Sequence, residues 1–298
     1  MEKQPSRRNV IKQLGLGSLA FGTTNSFSSF IKKDMQSNKH KFKGNINHSV
    51  CWWTYNFISL EELCQVVKGI GFSAIDLVGP KDWPTLQKNG IYSSMCNGAE
   101  INLVDGWNRK EFHSTLVKNY TDHIELVSKA KYKNLICFSG NRRGMDDETG
   151  LKNCVEGLKQ IVGLAEKSGV MIQMELLNSK VNHKDYMCDK SPWGIELVKQ
   201  VGSPNFKLLY DIYHMQIDEG DVIRTIKDNQ QYFGHYHTGG VPGRHVIDES
   251  QELYYPAIMK AILETGFKDY VAQEFISDKA EKEDKIAELK KAVNICDV

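Results

Sequence analysis

The sequence predicts an α/β protein built as one (β/α)8 barrel, on three observations. Eight short apolar runs alternate with longer amphipathic segments, the first run lacks a glycine-rich phosphate turn, and polar side chains end the last four runs. Strand–helix alternation calls for a parallel sheet. An open, doubly wound sheet normally carries glycines after its first strand, where this chain has Trp52-Trp53-Thr54-Tyr55. Eight units favour closure. Residues 45–298 read as this single domain, with no internal linker, and residues 1–44 as a separate N-terminal segment.

The elements follow in order. Ile46 to Trp52 reads as a strand, Leu60 to Ile70 as a helix, Ala74 to Val78 as a strand, Trp83 to Lys88 as a short helix and Ile91 to Met95 as a strand. Glu111 to Ala130 is a long helix, with Phe112, Leu116, Tyr120, Ile124 and Val127 at three- and four-residue steps. Leu135 to Phe138 is the fourth strand and Leu151 to Lys167 its helix; Val170 to Glu175 is the fifth, followed by a helix from Ser191 with Pro192 in its first turn. Phe206 to Tyr210 and a helix from about Asp221, Tyr232 to His237 and Tyr255 to Glu264, then Tyr270 to Glu274 and Lys279 to Val293 complete the eight units.

Composition narrows the function. Apolar residues make up 41% and charged residues 25%, and the formal net charge is +1, without the basic excess of a nucleic-acid binder. Seven scattered cysteines with no CxxC pair do not form a disulfide framework or a zinc knuckle. The N-terminus carries Arg7-Arg8 ahead of a weakly apolar run, Leu14 to Phe21, broken by Gly15 and Gly17. That pattern resembles a twin-arginine export signal and is too short for a membrane span. Periplasmic export is the expectation; a disordered basic tail on a cytoplasmic protein is the alternative.

Active-site residues of a barrel sit where strands end. The fifth strand stops at Glu175, the sixth at Asp211 with His214 three residues on, the seventh at His235-Tyr236-His237 and the eighth at Glu274. Glu175, Asp211, His237 and Glu274 are separated by 36, 26 and 37 residues, each about one βα unit. Neighbouring strands lie less than ~5 Å apart, so these ends can converge. His235 and His237 share one face of their strand and Tyr236 takes the other. Three inward carboxylates need a positive charge among them, and a divalent cation supplies it. Carboxylates plus imidazole form a hard set suited to manganese, magnesium or cobalt. Singly, each carboxylate is as readily a helix cap or ion-pair partner, and each histidine a core residue.

The segments Met174-Glu175-Leu176-Leu177-Asn178-Ser179, Tyr210-Asp211-Ile212-Tyr213-His214, Gly234-His235-Tyr236-His237-Thr238-Gly239-Gly240-Val241-Pro242-Gly243-Arg244-His245 and Gln273-Glu274-Phe275 resemble the xylose-isomerase-like TIM barrels. The likeness covers residues ~45 to 295 and points to the hydroxypyruvate isomerase branch, with the ketose 3-epimerases as near relatives. The resemblance implies one divalent metal on Glu175, Asp211, His237 and Glu274, with the two glutamates as acid–base pair. It further implies substrate contacts from His214 and Arg244. His235 and Trp52 join them as substrate-binding candidates, Trp52 with Trp53 and Tyr55 as an apolar wall for a sugar or its glycoside, with core packing as the alternative. Three positions depart from the pattern. His237 stands where the isomerases often carry glutamine and the epimerases histidine. Lys180 replaces the isomerases' arginine, and Val181 falls where the epimerases place a second substrate-binding glutamate.

A metal that chelates an α-hydroxy-carbonyl compound stabilises the enediolate left by proton removal. One glutamate then takes a proton and the other returns one, which isomerises or epimerises the substrate. The expected partner is a small hydroxy-carbonyl acid or sugar, with no nucleic acid and no stable membrane span; homo-oligomerisation is left open. A non-catalytic sugar-binding module and an apurinic endonuclease are the competing readings. The second would require extra His and Asp ligands and a basic groove. Replacing Arg7 and Arg8 by lysine is expected to retain the protein in the cytoplasm, as read by cell fractionation; unchanged fractionation would favour the disordered tail.

Overall fold

A computed structural model describes residues 42–298; the twin-arginine segment read from the sequence lies outside the described residues. Strands and helices alternate in the order β1 Asn47–Val50, α1 Leu60–Ile70, β2 Ala74–Val78, α2 Trp83–Lys88, β3 Tyr92–Cys96, α3 His113–Lys129, β4 Asn134–Cys137, α4 Asp147–Leu158 and α5 Val162–Ser168. Then come β5 Met171–Glu175, α6 Ser191–Val201, β6 Phe206–Asp211, α7 Ile212–Asp218, α8 Val222–Asn229, β7 Phe233–Thr238, α9 Tyr255–Glu264, β8 Tyr270–Gln273 and α10 Lys282–Cys296.

The strands form one parallel sheet in the order β1-β8-β7-β6-β5-β4-β3-β2. A parallel bridge between Cys51 and Asp76 links β1 to β2 and nearly closes the barrel. The (β/α)8 expectation therefore holds. Among the described residues no helix is long and apolar enough to cross a membrane. The seven cysteines are all buried and free, as their scattered spacing predicts.

Local sequence explains the element ends. Ser59 caps α1 by accepting from the Glu62 N–H, Glu61 and Glu62 lie in its positive first turn, and Gly71 at φ 123° ends it. Its buried face is Leu60, Leu63, Cys64, Val67 and Ile70, the amphipathic spacing of a helix laid on a sheet. Gly202, at φ 71°, ends α6 in the same left-handed fashion.

Three elements differ from the sequence reading. The first strand ends at Val50 rather than Trp52, because the Thr54 N–H and hydroxyl both donate to the Cys51 carbonyl and wind residues 52–55 into a 3-10 turn. The helix read over Leu151–Lys167 starts earlier and is two helices, parted at the weak helix former Gly157 by three-residue turns from Gln160 to Gly157 and from Ile161 to Leu158. α7 was not foreseen: it begins directly after Asp211, with no loop between strand and helix.

The loop after β3 crosses the end of β4 at a close backbone approach. A Cβ on Gly106 would stand 2.4 Å from the Gly140 nitrogen, while the Asn108 N–H donates to the Ser139 carbonyl at 2.8 Å. Gly106→Ala is therefore expected to lower stability by ~1–3 kcal/mol in urea unfolding, the range typical of overpacking.

Candidate active site

The sheet register brings the four polar strand ends together. Asp211 and His237 are paired across β6 and β7, and Glu175 lies beside Leu209 at the end of β5. Glu274 follows β8, where its N–H donates to the Thr238 carbonyl at 2.9 Å. All four side chains are buried. His237 Nδ1 lies 2.8 Å from Glu274 Oε2 and 3.2 Å from Glu175 Oε1. One ligand atom from each of Glu175, Asp211, His237 and Glu274 falls within 4.8 Å of the others. Three carboxylate oxygens and one imidazole nitrogen fit a hard divalent cation.

Asp211 serves two elements at once. Its Oδ1 accepts the His214 N–H at 3.1 Å and caps α7, while Oδ2 faces the site. The helix cap and the site residue are the same side chain. The cap in turn sets His214 over the cluster. Asn178 holds that imidazole from the β5 side: its Oδ1 accepts the Val181 and Asn182 N–H groups, and its amide nitrogen lies 2.6 Å from His214 Nδ1.

Arg244 covers the cluster. Its Nη2 donates to Asp211 Oδ2 at 2.6 Å and to Glu274 Oε2, its Nε donates to the Glu274 carbonyl at 3.0 Å, and Nη1 lies 3.0 Å from His214 Nε2. The guanidinium stands over the Tyr213 ring at 5.0 Å and the Trp53 ring at 5.7 Å, in range of both π faces. Arg244 itself has φ 58°, in the left-handed region, next to Gly243 at φ 81°. Trp53 donates from its indole nitrogen to Glu274 Oε1 at 2.7 Å, which leaves Oε2 for Arg244 and His237.

Behind His237 lies a second carboxylate, Asp76 of β2, fully buried. His237 Nε2 is 3.0 Å from its Oδ1; His235 Nε2 at 2.9 Å and the Ser94 hydroxyl at 2.6 Å meet its Oδ2. Cys51 Sγ lies 3.7 Å from Oδ1.

Protonation follows from burial and these charges. Burial raises the Asp211 pKa to about 7; Arg244 opposes the shift and the Glu274 and Glu175 charges add to it. Burial likewise raises Glu175, with His237 in opposition. Burial works against the Glu274 charge too, but Arg244, His237 and the Trp53 indole outweigh it and hold that carboxyl well below its ordinary value. For His237 burial disfavours the cation, yet the Glu274 charge, Cys51 and Asp76 together raise its pKa well above the usual imidazole range. Asp76 is held low because His235 and His237 outweigh its desolvation.

A sequence profile described as "Xylose isomerase-like TIM barrel" matches residues 64–294. The chain belongs to that family. Its relatives include a putative hydroxypyruvate isomerase of Homo sapiens, 26% identical over 121 residues (41% of this chain, 44% of the relative). A D-psicose 3-epimerase of Ruminiclostridium cellulolyticum is 29% identical over 173 residues (56% of this chain, 55% of the relative). The chain thus spans about half the length of these relatives. Among solved structures, D-psicose 3-epimerase with D-tagatose from Clostridium cellulolyticum H10 superposes with TM-score 0.71 at 19% identity, over 84% of this chain and 98% of that one. At that identity the likeness is one of fold.

The structure brings together the whole ligand set implied by the family, together with His214 and Arg244. Two residues named from the sequence stand elsewhere. His235 points at Asp76 below the cluster, and Trp52 is half-buried, packed on the core. The aromatic that reaches Glu274 is Trp53, 40% exposed. Lys180 donates to the Ile217 carbonyl on α7, and Val181 is exposed. Sequence reasoning missed Asp76 and Asn178, and it named Trp53 beside Trp52 and Tyr55 as an apolar wall only, not as a donor to Glu274. Asp76 carried a signal, a lone charge inside the apolar run Ala74-Ile75-Asp76-Leu77-Val78.

The Asp211 shift fixes a pH dependence. A carboxyl raised from 3.8 to about 7 on folding favours the folded state fully below about pH 4, and this contribution is lost as pH rises through 7. Chelator-treated protein is expected to lose stability across that window by about 1.4 kcal/mol per pH unit at the steepest, for one proton. Asp211→Asn should flatten this slope in urea titrations at stepped pH.

Proposed function

We propose that this protein is an isomerase acting on a small α-hydroxy-carbonyl compound, similar to hydroxypyruvate isomerases. The reading rests on the convergence of Glu175, Asp211, His237 and Glu274 within 4.8 Å. Those residues would hold one divalent cation, which when bound polarises the substrate carbonyl as a Lewis acid. The protein's own groups do the rest. Glu175 and Glu274 flank His237 Nδ1 from two sides, so one carboxylate can take the proton from the carbon beside the carbonyl. The electron pair of that C–H bond passes to the enediolate. The other glutamate returns a proton, to the neighbouring carbon for isomerisation, with the hydroxyl proton passing to the former carbonyl oxygen, or to the opposite face of the same carbon for epimerisation. His214, oriented by Asn178, presents Nε2 to a substrate oxygen. Arg244, whose nitrogens now meet Asp211, Glu274 and His214, would offer planar donors to a substrate carboxylate once a cation took over those two acids, which favours a hydroxy-carbonyl acid.

A second reading, a ketose 3-epimerase, draws support from His237 in the ligand set and from the epimerase relative. It lacks an acidic side chain at Val181.

Two measurements separate these readings. Elemental analysis should find one Mn²⁺-, Mg²⁺- or Co²⁺-type ion per chain, lost in Asp211→Ala. NMR in D₂O should then show deuterium entering the carbon next to the carbonyl of hydroxypyruvate, falling ~10²–10⁴-fold in Glu175→Gln and in Glu274→Gln. Exchange on neutral ketopentoses or ketohexoses alone would move the assignment to an epimerase. Exchange on none of them, with metal bound, would exclude this chemistry.

A further inference from the structure

Asp76 has no part in the proton transfers above, yet the backbone is distorted to place it. β2 shifts register against β3 on both sides of Asp76, and the next residue, Leu77, has φ 56°. A β-bulge re-aims a side chain, and a left-handed branched residue inside a strand is held there only by its surroundings. The distortion turns the Asp76 carboxylate inward, beneath His237. The only bridge between β1 and β2, Cys51 to Asp76, sits at the same residue among the described ones.

Every group facing that carboxylate is a potential donor. Ser94 Oγ and His235 Nε2 meet Oδ2, while His237 Nε2 and the Cys51 thiol meet Oδ1. The Ser94 hydroxyl donates to Oδ2, with His235 Nε2 in ion-pair range of it, and Oδ1 is left to His237 and Cys51. With a cation bound in place of its Nδ1 proton, an imidazole that donates from Nε2 presents its lone pair from Nδ1, and His237 Nδ1 is the atom facing Glu175 and Glu274.

We propose that Asp76 is the positioning residue of the metal centre, locking His237 in the tautomer and ring orientation that turn its Nδ1 lone pair toward the cation held by Glu175, Asp211 and Glu274. The inference rests on the metal reading above. A carboxylate behind a ligating histidine fixes the ring and raises its basicity, and loss of such partners typically weakens metal binding about 10–100-fold.

Calorimetric titration of chelator-treated full-length protein with Mn²⁺ tests it. The unsubstituted chain should bind one equivalent. Asp76→Asn, with unchanged circular dichroism, should bind about 10–100-fold more weakly. A spectroscopic measurement on the unsubstituted chain covers the case in which Asp76→Asn does not fold. In Zn²⁺-loaded protein with ¹⁵N-labelled histidine, His237 should carry its proton on Nε2 and none on Nδ1. A proton on Nδ1, or parent-like affinity in folded Asp76→Asn, would overturn the role of Asp76 and leave the metal reading standing. Two equivalents of Mn²⁺ with one lost in Cys51→Ser would make Asp76 a ligand and overturn it equally. No binding to the unsubstituted chain would remove the metal reading and this role with it.

Discussion

Three carboxylates, from Glu175, Asp211 and Glu274, are buried at one end of the barrel within reach of one another, and the surrounding structure is organised by the cost of that arrangement. Isolated buried charges are expensive, and like charges at contact distance more so, unless cations and donors stand among them. Arg244 spans two of the acids, His237 touches two, and Trp53 donates to the outer oxygen of Glu274. The residue most dependent on this compensation is Asp211: it has the Arg244 guanidinium, but burial still keeps its proton to about pH 7. A divalent cation among these oxygens would relieve the same repulsion with more charge in less volume.

Fold and electrostatics are joined by register. Parallel strands of like length end at one level, so a polar residue closing β5, β6, β7 and β8 faces its neighbours without help from loops. Asp211 adds a second link. Because it caps α7, a shift of that helix would carry His214 with it, and the cap and the site cannot be separated by mutation. Arg244 comes from a strained loop at Gly243-Arg244 and not from a strand end, and its guanidinium is fixed by Asp211, Glu274 and two aromatic faces.

The barrel was legible because strand–helix alternation is a local pattern repeated eight times. The cluster of Glu175, Asp211, His237 and Glu274 was legible because each member stands at or within one residue of a strand end, and a strand end can be read from where an apolar run stops. What escaped the sequence are features set by backbone turns rather than by runs. The 3-10 turn after Val50 brings Trp53 and not Trp52 to Glu274, and no periodicity marks which of two adjacent tryptophans faces that carboxylate. α7 starts without a loop, so its first turn hid inside the Asp211-x-x-His214 spacing that was read as chemistry alone. His235 shares a face with His237, as alternation requires, but it lies two residues lower, where it meets Asp76 and not the mouth of the barrel.

That two-residue step divides the site into two tiers. The upper tier holds Glu175, Asp211 and Glu274, and the lower tier holds Asp76, His235, Ser94 and Cys51, all four fully buried. His237 is the only side chain that touches both, with Nε2 on Asp76 and Nδ1 on the two glutamates. With a cation among the upper carboxylates, bridging the tiers would require a donor on one end and a lone pair on the other. A neutral imidazole meets that requirement, and so does a primary amide, whose nitrogen can donate downward while its oxygen faces up. The resemblance allows histidine or glutamine at this position, and both satisfy the same constraint from below. An acidic side chain there would meet Asp76 with a like charge, and an aliphatic one would leave its carboxylate without this donor.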